Sequence, residues 1–302
     1  MRYYIKSFYL CVFMLGVISC NQNHLLENSH EFKIDLLKDQ LVNSDGKYVM
    51  VAAHRGDWRN APENSLQAIL NAIEMGVDIV EIDVRLSKDS VPVLLHDRSL
   101  DRTTNGSGNI EEWNLSQLKE LFLKNGLGIP TRHKIPTLEE AMVIAKGKVM
   151  INLDKCYKNF KPVYDVLKKT QTTDHVIMKG KASKAEFETK YPNRSNDIFY
   201  MQILNLSVPS DFDRINYPIA YEFIFNRDTS QVLNDIPVLR DYSRAWVNSL
   251  WPELCAGFDD DTALMDPVGS YGQLVSMGFN IIQTDRPELL IGFLETNGYR
   301  EN

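Results

Sequence analysis

Three short apolar runs in the first third of this chain each stop at residues with chemistry to offer. Tyr48-Val49-Met50-Val51-Ala52-Ala53 runs into His54-Arg55-Gly56, Asp78-Ile79-Val80 into Glu81-Ile82-Asp83, and Val91-Pro92-Val93-Leu94-Leu95 into His96-Asp97. Continuous apolar runs of this length read as strands buried on both faces, as in parallel sheets. Between the first two, Pro62-Glu63-Asn64 precedes Leu66, Ile69, Leu70 and Ile73 at helical spacing, and Gly76 stands where a C-terminal cap falls. That pattern is a βαβ unit, and polar clusters at the ends of successive strands are where an α/β barrel keeps its chemistry.

Alternation along a strand puts Glu81 and Asp83 on one face and Ile82 and Val84 on the other. Two carboxylates crowded into a low-dielectric mouth repel unless a cation lies between them, and hard oxygen ligands favour Mg²⁺ or Ca²⁺. His54 and His96 titrate near neutrality in water, which suits a general acid and a general base. Arg55 offers a planar fork matched to phosphate oxygens. Each of these residues alone has a structural explanation. Glu63, for instance, reads either as part of the site or as the acidic start of a helix. Their coincidence at three strand ends points to a phosphate-ester site.

The motifs His54-Arg55-Gly56, Pro62-Glu63-Asn64-Ser65-Leu66, Glu81-Ile82-Asp83-Val84 and Val93-Leu94-Leu95-His96-Asp97 resemble the glycerophosphodiester phosphodiesterase family. The resemblance continues at Ile135-Pro136-Thr137-Leu138-Glu139-Glu140 and at Ile281-Ile282-Gln283-Thr284-Asp285-Arg286-Pro287, covering roughly residues 48 to 295. It implies a (β/α)₈ TIM barrel with a small insertion after the third strand, and hydrolysis of glycerophosphodiesters to glycerol 3-phosphate and an alcohol. It further implies that Glu81 and Asp83 bind a divalent cation, Arg55 the phosphate, and that His54 and His96 are the acid and base. In this family the attacking group can be the glycerol hydroxyl beside the phosphate.

The chain departs from the family at the fourth strand. Where the resemblance calls for Asn-Ile-Glu-Ile-Lys, this sequence has Asn152-Leu153-Asp154-Lys155-Cys156. Asp154 then stands at the third metal carboxylate with one methylene less reach, and Cys156 stands at the lysine. Strand alternation points Lys155 away from the site. Lys179, after Val176-Ile177-Met178 at the end of the next strand, is the candidate for the missing phosphate-binding cation, the alternative being a solvated loop lysine.

At 302 residues the chain suits one barrel better than two domains, and a net charge of −7 with no basic aromatic stripe argues against nucleic acid as a partner. Arg2 and Lys6 precede the apolar run from Phe8 to Ile18, too short for a membrane span, so residues 1–19 read as a signal peptide. Val17-Ile18-Ser19-Cys20 resembles a bacterial lipobox. That implies lipidation of Cys20 and an exported, membrane-anchored lipoprotein on the periplasmic or outer-membrane side; a plain secretory signal is the alternative. Residues 20–47 would be a tether, with an amphipathic helix from Glu31 to Val42 whose Phe32, Ile34, Leu37 and Leu41 cover the barrel floor. The barrel would take 48–302, with the insertion at roughly 98–134.

Further strands are expected at Met150–Leu153, Val176–Met178, Phe199–Ile203, Ala220–Ile224, Ala245–Val247 and Asn280–Ile282. That makes nine for eight places, with Phe199–Ile203 or Ala220–Ile224 the suspected extra. Glu222 interrupts an apolar strand and is a weaker site candidate. Trp251 either packs on a glycerol or lipid-derived group or, more simply, packs in the core. Asp259-Asp260-Asp261 is a second cation site or a helix cap, and Asp285-Arg286 an ion pair. Functional alternatives are a lipoprotein that binds phosphodiesters or phospholipid head groups without turnover, and a phosphodiesterase for another glycerol- or sugar-linked substrate.

Overall fold

The computed structural model describes residues 33–43, 46–204 and 216–300. Its strands are, in chain order, β1 (Met50–Ala53), β2 (Ile79–Leu86), β3 (Pro92–Leu94), β4 (Phe122–Lys124), β5 (Pro130–Lys134), β6 (Met150–Asp154), β7 (Val176–Gly180), β8 (Phe199–Leu204), β9 (Ala220–Phe223), β10 (Arg244–Asn248) and β11 (Ile281–Thr284). Eight of them close a parallel barrel in the order β1-β2-β6-β7-β8-β9-β10-β11, with β11 pairing back to β1.

The barrel strand to discard from the nine candidates is neither Phe199–Ile203 nor Ala220–Ile224. It is Val91–Leu95: β3 pairs antiparallel with the end of β2, Val84 opposite Leu94 and Leu86 opposite Pro92. The cause is a tight turn at Ser87–Ser90, where the Ser87 amide donates to the Val91 carbonyl at 3.0 Å and Ser90 takes φ 62°. The extra segment therefore leaves the barrel after its second strand, not its third. β3 joins a satellite core of Val93, Leu95, Leu100, Ile110, Leu118, Leu123 and Ile135, which holds the β4–β5 hairpin beside the barrel mouth.

Period-two alternation builds the rest. Val51, Val80, Ile82, Ile151, Leu153 and Met178 point outward to a shell of helices. Their neighbours point inward, where Met50, Ile79, Met150, Ile177, Met201, Trp246 and Ile281 form an apolar layer low in the barrel. A helix over residues 33–42 adds Ile34, Leu37 and Leu41 to this layer, each buried side chain contributing about 1.5–3 kcal/mol. Arg244, fully buried, fixes that helix by donating to the carbonyls of Gln40, Leu41, Asn43 and Tyr48. Two residues beyond Ile79, Met150, Ile177, Ala220, Trp246 and Ile281 the inward side chains turn polar: Glu81, Asn152, Lys179, Glu222, Asn248 and Gln283, all buried. The polar layer sits directly above an apolar plug.

Candidate active site

The first barrel strand delivers two groups by different means. His54 follows β1 directly, and its Nδ1 lies 2.7 Å from Oδ1 of Asp285, which follows β11. An ionised carboxylate only accepts, so this contact takes the Nδ1 proton and leaves Nε2 as the reactive nitrogen. Burial works against ionisation of Asp285, but hydrogen bonds from His54 and Trp58 and the charge of Arg59 hold it below the usual carboxylate range. The Asp285 amide in turn donates to Asp260 at 2.6 Å.

Arg55 turns into the left-handed region, φ 54°, and its amide donates to Glu81 at 3.0 Å. Its guanidinium is held by Glu63 at 3.0 Å and lies 3.5 Å from Asp83. Gly56 follows at φ 73°, and a Cβ there would stand 2.7 Å from the backbone of Ala68, so only glycine lets the helix Leu66–Glu74 come this close. Asn64, also left-handed, makes two 2.9 Å hydrogen bonds with Asp83, one to its carboxylate and one from its amide.

Glu81, Asp83 and Asp154 offer carboxylate oxygens that all lie within 4.8 Å of one another. The register explains why the shorter Asp154 still arrives, because Asp83 and Asp154 are direct partners across β2 and β6. Burial, then repulsion by Asp83, pushes the Glu81 carboxyl up to about 7. Burial would also raise Asp154, but Lys179 and Lys155 outweigh it and hold Asp154 well below the carboxylate range.

Of the two lysines, Lys155 departs from the sequence expectation and Lys179 does not. Lys179 is no solvated loop residue: it is buried, 3.4 Å from both Asp154 and Glu222. Its desolvation is outweighed by Asp154 and Glu222, which keep it protonated well above the ordinary lysine value. Lys155 does not point away. Regular alternation ends with β6, Lys155 takes φ 61°, and its ammonium returns to 3.6 Å from Asp83 and 3.5 Å from Asp154. Cys156 instead falls into the apolar shell outside the barrel.

His96 reaches the site from the antiparallel flap. The Leu95 amide donates to the Asp83 carbonyl at 3.0 Å, and Arg85 holds the His96 carbonyl from β2. Its Nδ1 lies 2.6 Å from Asp97, and burial lowers its pKa, opposed by the charge of Asp83 and the Asp97 bond. Arg102, from the insertion, grips Asp97 and Glu63 together with four hydrogen bonds of 2.6–3.1 Å. That one guanidinium ties the support of His96 to the support of Arg55.

A cavity of about 440 Å³ lies against His54, Arg55, Glu63 and Arg102 and is walled by Trp58 and Trp251. Trp251 is not a core residue: it is 43% exposed, edge-on to His54 with ring centroids 6.3 Å apart. Glu222 is buried, accepting from Asn248 at 2.9 Å on its far oxygen. Asp259 caps the helix Asp260–Ala263, Arg286 pairs with Asp261, and Asp260, pushed up to about 6 by burial, accepts from Ser249, Tyr271 and Thr284. Cys20 lies outside the described residues.

Sequence reasoning missed Asp285, Arg102 and Lys155 as parts of this assembly. Asp285 carried a usable signal, its place at the end of the last strand.

Residues 54–202 match the profile of the Glycerophosphoryl diester phosphodiesterase family, and residues 200–294 match a domain of unknown function. A glycerophosphodiester phosphodiesterase of Caldanaerobacter subterraneus is 39% identical over 107 residues, 35% of this chain and 44% of that protein. Human glycerophosphodiester phosphodiesterase 1 is 39% identical over 100 residues, 31% of this chain and 29% of that one. The matches thus span less than half of those relatives. In fold, the chain is similar to a glycerophosphoryl diester phosphodiesterase crystal structure from Parabacteroides distasonis, with TM-score 0.74, 23% identity, and 88% and 92% of the two chains covered. It is also similar to an Oleispira antarctica phosphodiesterase solved with sn-glycerol-3-phosphate, with TM-score 0.62, 22% identity, and 83% and 99% covered.

Proposed function

Because this chain belongs, through residues 54–202, to the glycerophosphoryl diester phosphodiesterase family, we propose that it hydrolyses glycerophosphodiesters to glycerol 3-phosphate and an alcohol. The observation that carries the reading is the pairing of two histidines, each oriented through Nδ1 by its own carboxylate, around one guanidinium and one cluster of three carboxylates. Binding alone has little use for two titrating imidazoles. The product complex of the Oleispira antarctica protein supports the same substrate class.

The donor set fits a hard divalent cation. Three carboxylates converge, and burial, with repulsion from Asp83 added, pushes Glu81 upward, an effect that a bound cation would offset. Glu81, Asp83 and Asp154 would hold it, all-oxygen ligation being compatible with Mg²⁺ or Ca²⁺. When bound, such an ion lowers the pKa of a hydroxyl and offsets charge gathering on phosphoryl oxygens. Arg55, held rigid by Glu63 and Asp83, presents its remaining N–H groups to the phosphate. Of His54 and His96, one takes the nucleophile's proton on Nε2 and the other returns a proton to the departing alkoxide. Trp58 and Trp251 flank the space for the glycerol or the leaving group.

The test is release of glycerol 3-phosphate from glycerophosphocholine or glycerophosphoethanolamine by the purified protein. Release is expected with Mg²⁺ or Ca²⁺ and should drop at least tenfold, roughly the least that loss of a catalytic metal costs, when a chelator removes the ion. If no glycerophosphodiester gives metal-dependent release, the site binds head groups without turning them over.

Cation binding should also depend on pH in a defined direction. Burial and Asp83 push Glu81 up to about 7, so an incoming ion is expected to displace a proton there at lower pH. Affinity measured by calorimetry is expected to fall by up to about tenfold per pH unit below 7, and to level off above it. A flat profile from pH 5 to 8 would show that the ion displaces no proton from Glu81.

We also propose attachment to a membrane through a lipid on Cys20, supported by the charged start, the apolar run and Val17-Ile18-Ser19-Cys20. Among the described residues no helix is long and apolar enough to cross a membrane. In a lipoprotein-processing bacterial host, the chain should label with a palmitate analogue and Cys20→Ala should not. Equal labelling of both would rule out this anchor.

A further inference from the structure

We propose that the β4–β5 hairpin is an interfacial anchor that seats the cavity mouth on a lipid surface carrying anionic head groups. Between residues 121 and 138 the chain has Lys124, Arg132 and Lys134 and no carboxylate, although its net charge is −7. None of the three forms an ion pair among the described residues: Lys124 and Lys134 donate to backbone carbonyls of Asp101 and Glu120, and Lys134 also lies 3.6 Å from the centre of the Phe122 ring. Their charge remains available to an external partner.

The tip between these cations is apolar. Leu127 is 85% exposed and Ile129 57% exposed. They stand on a built turn, since the Asn125 side-chain oxygen accepts from the amides of Leu127 and Ile129 at 3.1 and 3.0 Å, and the Asn125 amide donates to the Ile129 carbonyl at 2.9 Å. Anchored this way, two large aliphatic side chains are held out into water. Large apolar side chains flanked by cations are the composition that enters the boundary between head groups and acyl chains.

Position decides the purpose. Gly126 and Gly128, on either side of Leu127, line the same cavity as His54 and Trp251. A membrane that takes up Leu127 and Ile129 therefore meets the cavity mouth, where the exposed Trp251 indole is suited to the head-group layer. A second copy or a protein partner would have to answer both the aliphatic pair and the unpaired cations, and an anionic bilayer does so without any sequence-specific match. The inference deepens the proposed function by naming the substrate class, diesters that still carry a lipid chain, and rests on that reading for its kinetic arm only.

The experiment compares the full chain with Leu127→Asp/Ile129→Asp, and separately with Arg132→Gln/Lys134→Gln, for binding to phosphatidylcholine vesicles and to mixed phosphatidylcholine–phosphatidylglycerol vesicles. All three proteins share one N-terminus, so differences report the hairpin. The aspartate variant is expected to bind mixed vesicles about tenfold more weakly or worse, and the glutamine variant to lose the preference for mixed over neutral vesicles. Turnover of soluble glycerophosphocholine should not change in either, while turnover of a lysophospholipid in mixed vesicles should fall with the binding. Equal vesicle affinity of the wild-type and aspartate proteins overturns the proposal, as does an oligomer in light scattering that only the aspartate variant disperses. Vesicle binding needs no catalysis, so absence of all turnover would count against the enzyme reading and leave the anchor standing.

Discussion

His54→Ala and His96→Ala are each expected to lower kcat on glycerophosphocholine by about 10²–10⁴, the usual worth of a positioned acid or base. KM should change little, because neither ring is needed to hold the phosphate against Arg55. The two variants separate when the leaving group is changed. With a nitrophenyl-type alcohol, which departs without protonation, the variant lacking the general acid should recover most of its rate and the variant lacking the base should not. His96 rises on the flap and is the more open of the two, with 30% of its side chain exposed against 9% for His54. Departing alcohol leaves toward solvent, so rescue is expected for His96→Ala. Rescue of His54→Ala instead exchanges the roles, and rescue of neither removes the acid–base assignment.

These two residues also show how far the sequence could be read. The apolar run before His54 and the alternation of Glu81 with Asp83 are local facts, and local facts set both the strand and its inward face. Val91–Leu95 was locally equivalent, yet three buried apolar residues do not tell a parallel barrel strand from an antiparallel flap. What decides is the turn at Ser87–Ser90 and its positive φ, which reverses the chain. His96 therefore reaches the mouth by pairing with β2, not by ending a third barrel strand.

Other misses have the same character. Asp285 orients His54 across 231 residues of sequence, a distance over which no spacing rule applies. For Trp251 the sequence leaves open a place against the substrate or a place in the core, and the fold decides for the first, standing it one residue before the helix Pro252–Cys255, at the open end of the barrel. Arg102 lies in the insertion, and its importance shows only once Glu63 and Asp97 are seen on either side of it. Within the carboxylate cluster, Glu81 and Asp83 were legible because alternation along a strand is local, and Asp154 through the family resemblance.

The sharpest departure of this chain from its family, Asp154-Lys155-Cys156 in place of the glutamate-to-lysine spacing, is resolved by the same reasoning. Alternation placed Lys155 outside only on the assumption that β6 continued past Asp154. At φ 61° it does not, and the Lys155 ammonium stands over Asp83 and Asp154 with 24% of its side chain exposed, while Lys179 lies below with 7%. Lys155 is the more exposed of the two ammonium groups and so the more accessible to a phosphate. Lys179, clasped between Asp154 and the buried Glu222, neutralises both carboxylates. Lys155→Ala is accordingly expected to lower kcat/KM by about 10²–10³, the scale for removing one charged donor from a transition state, with little change in Tm. Lys179→Ala should behave differently, costing about 3–5 kcal/mol of stability by leaving the buried Glu222 carboxylate without its cation, with any kinetic loss accompanied by a lower Tm. A Lys179→Ala protein that keeps its Tm and loses only turnover would return the phosphate-binding role to Lys179. A Lys155→Ala protein with wild-type kcat/KM would leave the ammonium over Asp83 without a part in the reaction.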